Sequence, residues 1–143
     1  MFMGEHRHSI DDKNRLVIPS SYRDSLGSSF IITRGLEKCL YIYTESEWQK
    51  IVDKLASLPF TKKDARTFIR SFFSAAANCT LDKQGRINIT PNQALYAGLN
   101  KECVIIGAND RVEIWSKENW EEFNLEFSDA LESVAEHLFN GED

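Results

Sequence analysis

Apolar and polar positions alternate along residues 5–19, a pattern that returns from about Asn78, and from Thr44 the spacing lengthens to that of a helix. The first stretch predicts a strand to about Ile10, a turn at Asp11–Arg15, and a strand at Leu16–Ile18. Pro19 ends that strand because proline cannot donate to a ladder. Ser20–Leu26 suits one or two helical turns stopped at Gly27. Phe30–Thr33 and Cys39–Tyr43 are rich in β-branched and aromatic residues and predict two further strands around a turn at Arg34–Lys38. Thr44 with Glu47 forms a capping-box pattern, and Trp48, Ile51, Val52, Leu55 and Leu58 follow at helical spacing up to Pro59. A second helix opens at Thr61–Asp64 with Ala65, Phe68, Ile69, Phe72, Phe73 and Ala76 on one face. Lys62, Lys63, Arg66 and Arg70 lie off that face.

The second alternating stretch repeats the first. Asp82-Lys83-Gln84-Gly85-Arg86 corresponds to Asp11-Asp12-Lys13-Asn14-Arg15, each followed by alternating apolar residues and a proline. Gly98 stands where Gly27 stood, Cys103–Ile106 matches Phe30–Thr33, Val112–Trp115 matches Leu40–Tyr43, and Trp120 matches Trp48. Each copy has about four short strands and one good apolar face, too little to be stable alone. The two copies are therefore expected to pair and close their edges against each other, with helices outside. The expectation is a mixed α+β fold with a mainly β core. It comprises repeats over 5–47 and 76–119, a helical connector over 48–75 and an acidic C-terminal helix over 120–143.

Composition is that of an ordinary globular chain. Its apolar runs are much shorter than a membrane span, and Met1–His8 lacks the apolar core of a secretion signal, so a cytoplasmic location without membrane contact is expected. Cys39, Cys79 and Cys103 are odd in number and far apart, which argues for small apolar fillers rather than a disulfide framework. The net charge of −5 conceals an asymmetry. Residues 117–143 hold nine acids and one base, leaving 16 bases and 13 acids, or +3, in residues 1–116. An acidic C-terminal segment thus masks a mildly basic body.

The repeated turn carries the candidate chemistry. Asn14 and Gly85 occupy the same position, and both residue types tolerate the left-handed conformation a tight turn needs. Lys13 with Arg15, and Lys83 with Arg86, would then stand at hairpin tips. They could be solvated charges paired with Asp11 and Asp82. They could also contact phosphates and base edges, for which the planar arginine fork is suited. His6 and His8 share a strand face, but no third metal ligand follows at suitable spacing. Asp11, Asp12 and Asp82 admit a hydrolytic reading, though no nucleophile elbow, phosphate loop or paired-acid layout supports it. Neither a cofactor nor a metal is expected.

The chain resembles the MraZ family of bacterial transcriptional regulators. The resemblance rests on Met1-Phe2 with Gly4, Asp11–Arg15 followed by Leu16–Pro19 and Tyr22-Arg23, and Arg70–Ala76. It continues in Asp82–Arg86, Tyr96–Leu99, Val104–Gly107 and Glu113–Trp115 with Trp120. It implies two AbrB-like units forming one pseudo-dimeric, swapped-hairpin β-barrel. It also implies a ring-like homo-oligomer, nucleoid-associated, that binds direct repeats of double-stranded DNA in the promoter of the division and cell-wall gene cluster. The implied DNA-contacting residues are Lys13, Arg15, Lys83 and Arg86, with Arg23 and Arg7 added, and Asp11, Asn14, Asp82 and Gly85 support the turns. Three positions depart from the family pattern: Asn14 for a glycine, Thr90 for the first of two prolines, and Ala94 for the counterpart of Arg23. The last implies a weaker DNA contact by the second copy. A non-enzymatic oligomeric scaffold is the rival reading.

Overall fold

The computed structural model describes residues 1–141. In chain order the first repeat gives β1 (Glu5–Ser9), β2 (Arg15–Val17), α1 (Ser20–Leu26), β3 (Phe30–Arg34), β4 (Leu40–Thr44) and α2 (Glu45–Ala56). After α3 (Lys63–Ser74) the second gives β5 (Ala77–Cys79), β6 (Arg86–Asn88), α4 (Pro91–Ala97), β7 (Glu102–Gly107), β8 (Val112–Ser116) and α5 (Lys117–Phe127). A last helix, α6 (Leu131–Phe139), follows a break at Ser128–Ala130, where the sequence pattern suggests continued helix. Glu142 and Asp143, the end of the expected acidic segment, lie outside the described residues.

Local chemistry sets the helix starts. The Thr44 hydroxyl accepts from the Glu47 N–H at 3.2 Å, so the predicted cap is in place. Thr90 caps α4 with a complete capping box: its hydroxyl accepts from the Gln93 N–H, and Gln93 Oε1 accepts from the Thr90 N–H, both at 3.1 Å. Pro91, expected only to end a strand, also opens this helix, where its missing N–H costs nothing. The substitution of threonine for proline at position 90 therefore supplies a cap that its counterpart, Pro19, cannot. The second connector helix begins at Lys63, two residues later than its Thr61 pattern suggests.

The strands are exchanged between the repeats. The larger sheet runs β1-β7-β8-β4-β3-β5, antiparallel throughout. The first strand of each repeat pairs with the third of the other, as β1 with β7 and β5 with β3, and β4 meets β8 at the centre. A separate ribbon joins β2 to β6. The order reads the same from either edge once the repeats are swapped, so a pseudo-two-fold axis passes between β4 and β8 and through the ribbon. Strand pairing thus forms two ladders, with β1 and β5 as the ends of the larger one.

Both faces of the larger sheet are covered. Phe30, Ile32, Leu40, Ile42, Cys103, Ile105, Val112 and Ile114 point inward onto Leu16, Ile18, Ile87 and Ile89 of the ribbon and Tyr22, Leu26, Ala94 and Ala97 of α1 and α4. Alternate residues Tyr41, Tyr43, Val104 and Trp115 point outward onto Trp48, Ile51 and Leu55 of α2, Phe72 of α3, and Trp120 and Phe123 of α5. Trp48 stacks on Phe72 with ring centroids 5.6 Å apart, and Trp115 meets Trp120 edge-on at 5.3 Å. The three cysteines are buried and unbridged. Burial raises all three thiols, Cys103 to about 11, so they remain protonated fillers at neutral pH.

Candidate nucleic-acid interface

A two-stranded ribbon of three residue pairs is marginal by itself. Leu16 and Ile87 are paired across β2–β6 and almost completely buried, each contributing about 1.5–3 kcal/mol relative to exposure. Their inward direction forces the flanking residues outward. Arg15 pairs with Asn88 and Arg86 with Val17, so the two arginines share the outer ribbon face as diagonal neighbours, a spacing of about 7–8 Å between residues. Together with Asn78, Thr80, Asp82 and Asn88 they line a concavity of about 280 Å³.

The two turns have the same hydrogen bonds. Asp11 N–H donates to the Arg15 carbonyl at 3.0 Å and Asn14 N–H to the Asp11 carbonyl at 3.0 Å. The corresponding bonds of Asp82, Arg86 and Gly85 are 2.9 and 3.0 Å. Asn14 and Gly85 have φ of 59° and 74°, the left-handed conformation expected of them. Each aspartate closes its turn from inside. Asp11 Oδ1 accepts from the N–H groups of Lys13 and Arg15 at 3.0 and 2.8 Å, and Asp82 Oδ1 accepts from those of Gln84 and Arg86 at 2.9 and 2.8 Å. The second carboxylate oxygen accepts from the arginine Nε, at 2.7 Å in the first turn and 2.8 Å in the second.

This geometry bears on what each arginine is left free to contact. A side-on bond at Nε fixes the guanidinium plane and leaves the terminal amines pointing onward. Among the described residues the Arg15 guanidinium gives no other hydrogen bond, and that of Arg86 gives one, from Nη2 to Gln84 Oε1 at 2.9 Å. The ion pair therefore orients the arginine rather than consuming it. The same bonds bear on the hydrolytic reading. The backbone N–H of Arg15, followed by the Arg15 side chain and the Lys13 N–H, holds the Asp11 carboxyl below its ordinary range. Asp82 is lowered in the same way by the Arg86 backbone first, then by the Arg86 side chain and the Gln84 N–H. A carboxylate held charged and committed at both oxygens is badly suited to carry a proton near neutral pH.

A pH dependence follows from these shifts. A depressed carboxyl stabilises the fold above its unfolded value, ordinarily 3.8, and that contribution is lost as pH falls through the lower folded value. The wild-type melting temperature is expected to fall as pH drops through and below 3.8. The variant Asp11→Asn/Asp82→Asn should start lower at pH 7 and lose less over that range. Identical acid limbs for the two proteins would show that the carboxylates do not brace the turns.

The remaining candidates are distributed unevenly. Lys13 and Lys83 stand exposed at the turn tips. Arg7 lies on the outward side of β1, bridged to Glu5 at 3.4 Å and Glu102 at 3.3 Å, so two acids already attend its charge. His6 and His8 lie on the opposite, half-buried side of β1, and the His6 ring meets Tyr22 edge-on at 5.2 Å. Asp12 is exposed on the first turn. Arg23 lies over the second turn although it belongs to the first repeat: its Nε donates to the Ile18 carbonyl at 2.8 Å, and its guanidinium covers Gly85. The exchanged ladder also crosses here, with Ile18 N–H donating to the Gly85 carbonyl and Ile89 N–H to the Asn14 carbonyl, both at 2.9 Å. The counterpart of Arg23 in the second repeat is Ala94, which is buried in α4 and has no such reach.

Two tandem copies of the fold, each contributing one braced Asp-x-x-x-Arg turn to a shared ribbon, agree with comparison to known families. The model of the family described as "MraZ protein, putative antitoxin-like" matches residues 1–71 and again 72–140, nearly the whole chain in two units. That family is regulator-like and non-enzymatic, which assigns this protein a regulatory role. No helix among the described residues is long and apolar enough to cross a membrane. With the duplicated match added to the duplicated turn, the chain belongs to the MraZ family.

Proposed function

We propose that this protein is a sequence-preferring, DNA-binding transcriptional regulator of the bacterial division and cell-wall gene cluster, acting on promoter direct repeats in the nucleoid. The observation that carries this reading is the paired turn. Two arginines, each oriented at Nε by its own aspartate, share one ribbon face, and of their terminal amines a single one, on Arg86, is engaged within the turns, by Gln84. Terminal guanidinium amines supply phosphate contacts and bidentate contacts to guanine in the major groove, which admits a two-stranded ribbon. Lys13 and Lys83 add phosphate contacts. Arg7, neutralised by Glu5 and Glu102, is at most a peripheral contributor.

The ribbon and its surroundings carry Lys13, Arg15, Arg23, Lys83 and Arg86 against Asp11, Asp12 and Asp82, a small positive excess. One chain should therefore bind weakly, and affinity should come from several chains meeting several promoter boxes. The surface of α6 supports self-association. Leu131, Val134 and Leu138 form a helical stripe in which Leu131 and Leu138 are 72% and 73% exposed, and no α6 residue is buried. Glu132 and Glu136 flank the stripe. We infer that it seats on a second copy of this chain, in the apolar groove between α2 and α3 lined by Ile51, Leu55, Phe68 and Phe72. Lys54 lies on that groove, and Lys63 and Arg70 are exposed on α3, so the charges are complementary. A head-to-tail contact of this kind closes into a ring when its rotation permits.

The direct test is a gel shift with a promoter-repeat duplex at two salt concentrations, alongside size-exclusion chromatography. Retention that falls steeply with salt is expected, since each neutralised phosphate contributes about 0.9 to the log–log slope. Retention indifferent to salt would overturn phosphate contact, and an intact oligomer without retention would favour the scaffold reading.

A further inference from the structure

We propose that Arg23 is a positioning residue of the second turn, and that Arg23–Gly85 and Ala94–Asn14 are two solutions of one cross-repeat contact. A Cβ at Gly85 would lie 2.4 Å from Arg23 Cζ, 2.6 Å from Nε and 2.8 Å from Nη1. The guanidinium therefore occupies the space that any side chain at 85 would need. It is anchored there by its bond from Nε to the Ile18 carbonyl, and Ile18 N–H in turn donates to the Gly85 carbonyl. One residue of the first repeat thus closes a short circuit through the strand end and the turn that carries Arg86.

The pseudo-two-fold axis relates position 23 to 94 and position 85 to 14. At the first turn the matching ladder bond is present, from Ile89 N–H to the Asn14 carbonyl, but the position equivalent to Arg23 holds Ala94, whose side chain is too short to lie over a turn as the guanidinium does. Asn14 keeps a side chain at φ 59°, so left-handed geometry alone does not demand glycine at this position. Space explains the difference. Glycine stands where an arginine of the other repeat lies over the turn, and a larger residue stands where that arginine is missing. Gly85 is buried and Asn14 half-buried, as this requires. Two departures that sequence treats as independent, Asn14 and Ala94, become a single exchange. The turns are consequently unequal: the second is covered and pre-set, while the first is braced by Asp11 and its ladder bond alone. In nucleic-acid binding this makes Arg86 the pre-positioned contact and Arg15 the adaptable one, a step that rests on the proposed function.

A double-mutant cycle tests the contact without any ligand. The guanidinium can swing away, so Gly85→Asn should fold but displace Arg23 and lower the melting temperature by roughly 3–6 °C. Added to Arg23→Ala it should cost almost nothing further, since nothing remains to be displaced. The reciprocal cycle covers the case in which Gly85→Asn fails to fold. Ala94→Arg should be destabilising beside Asn14 and tolerated when combined with Asn14→Gly. The same first cycle read as retention of a promoter-repeat duplex should show Gly85→Asn weakening binding about tenfold alone and less than about twofold on the Arg23→Ala background. Additive effects in both melting cycles would overturn the contact. Coupled melting without any DNA retention would leave the contact standing and remove the binding reading. Retention with additive effects would sustain the binding reading and make Arg23 a direct phosphate ligand instead.

Discussion

The variant Arg15→Ala/Arg86→Ala is expected to lose retention of a promoter-repeat duplex while keeping the oligomeric state and nearly the thermal stability of the wild type. The two effects separate because the ion pairs are solvent-facing: side-chain exposures are 33% and 32% for Arg15 and Asp11, and 23% and 36% for Arg86 and Asp82. Ion pairs this open to solvent add little to stability. The aspartates also keep their backbone partners, Lys13 and Arg15 N–H in one turn and Gln84 and Arg86 N–H in the other, which alanine substitution does not remove. Binding is affected far more. A hydrogen bond to a charged group is worth about 1.5–3 kcal/mol, so two arginines per chain correspond to roughly 10²–10⁴ in affinity before multiplicity is counted. The salt slope should flatten by about 0.9 for each phosphate that is no longer neutralised. Arg15→Lys/Arg86→Lys is expected to restore only part of the affinity. A lysine has a single terminal ammonium and cannot both engage the aspartate side-on and present a fork. Undiminished retention in the alanine variant would remove the turns from the interface.

The residues that carry this result are visible in sequence because their logic is local. Asp, three residues and Arg, with a left-handed position fourth, defines a turn whose hydrogen bonds all lie within five residues. Period-two alternation likewise marks the strands, and Thr44 marks the start of α2. What alternation cannot express is partnership. Nothing in Glu5–Ser9 or Ala77–Cys79 states that each pairs with the other repeat's third strand rather than its own, because both choices bury the same face. That choice determines what Arg23 touches. Along the chain, Arg23 belongs to the first turn; through the exchanged ladder it lies over the second. Thr90 similarly reads in sequence as a missing proline, because a cap is recognised only once Gln93 is known to close it. The division of the C-terminal segment into α5 and α6 is also hidden, since the apolar residues on either side of Ser128–Ala130 maintain a helical period across the break.

That break bears on how affinity is built. In the first repeat, the helix after α2 folds back so that Phe72 reaches the sheet and stacks with Trp48. In the second, the helix after α5 buries no residue and leaves Leu131 and Leu138 to solvent. On the proposed reading, this apolar, acid-flanked helix seats on the α2–α3 groove of a second copy. Leu131→Glu/Leu138→Glu is therefore expected to reduce the oligomer to smaller species in size-exclusion chromatography with light scattering. The melting temperature of the chain should change little, because substitutions at exposed positions stay within about 0.5 kcal/mol. DNA retention should fall with it. Removing simultaneous engagement of several boxes forfeits an avidity gain of about 10²–10⁴, although Arg15 and Arg86 are untouched. Glu132→Lys/Glu136→Lys should weaken assembly less, and pairing it with Lys63→Glu/Arg70→Glu should recover part of the assembly if α6 meets α3 of a neighbour. An unchanged mass for the leucine variant would locate self-association elsewhere. Smaller species with full DNA retention would show that one chain's two turns suffice, and that multiplicity is not the source of affinity.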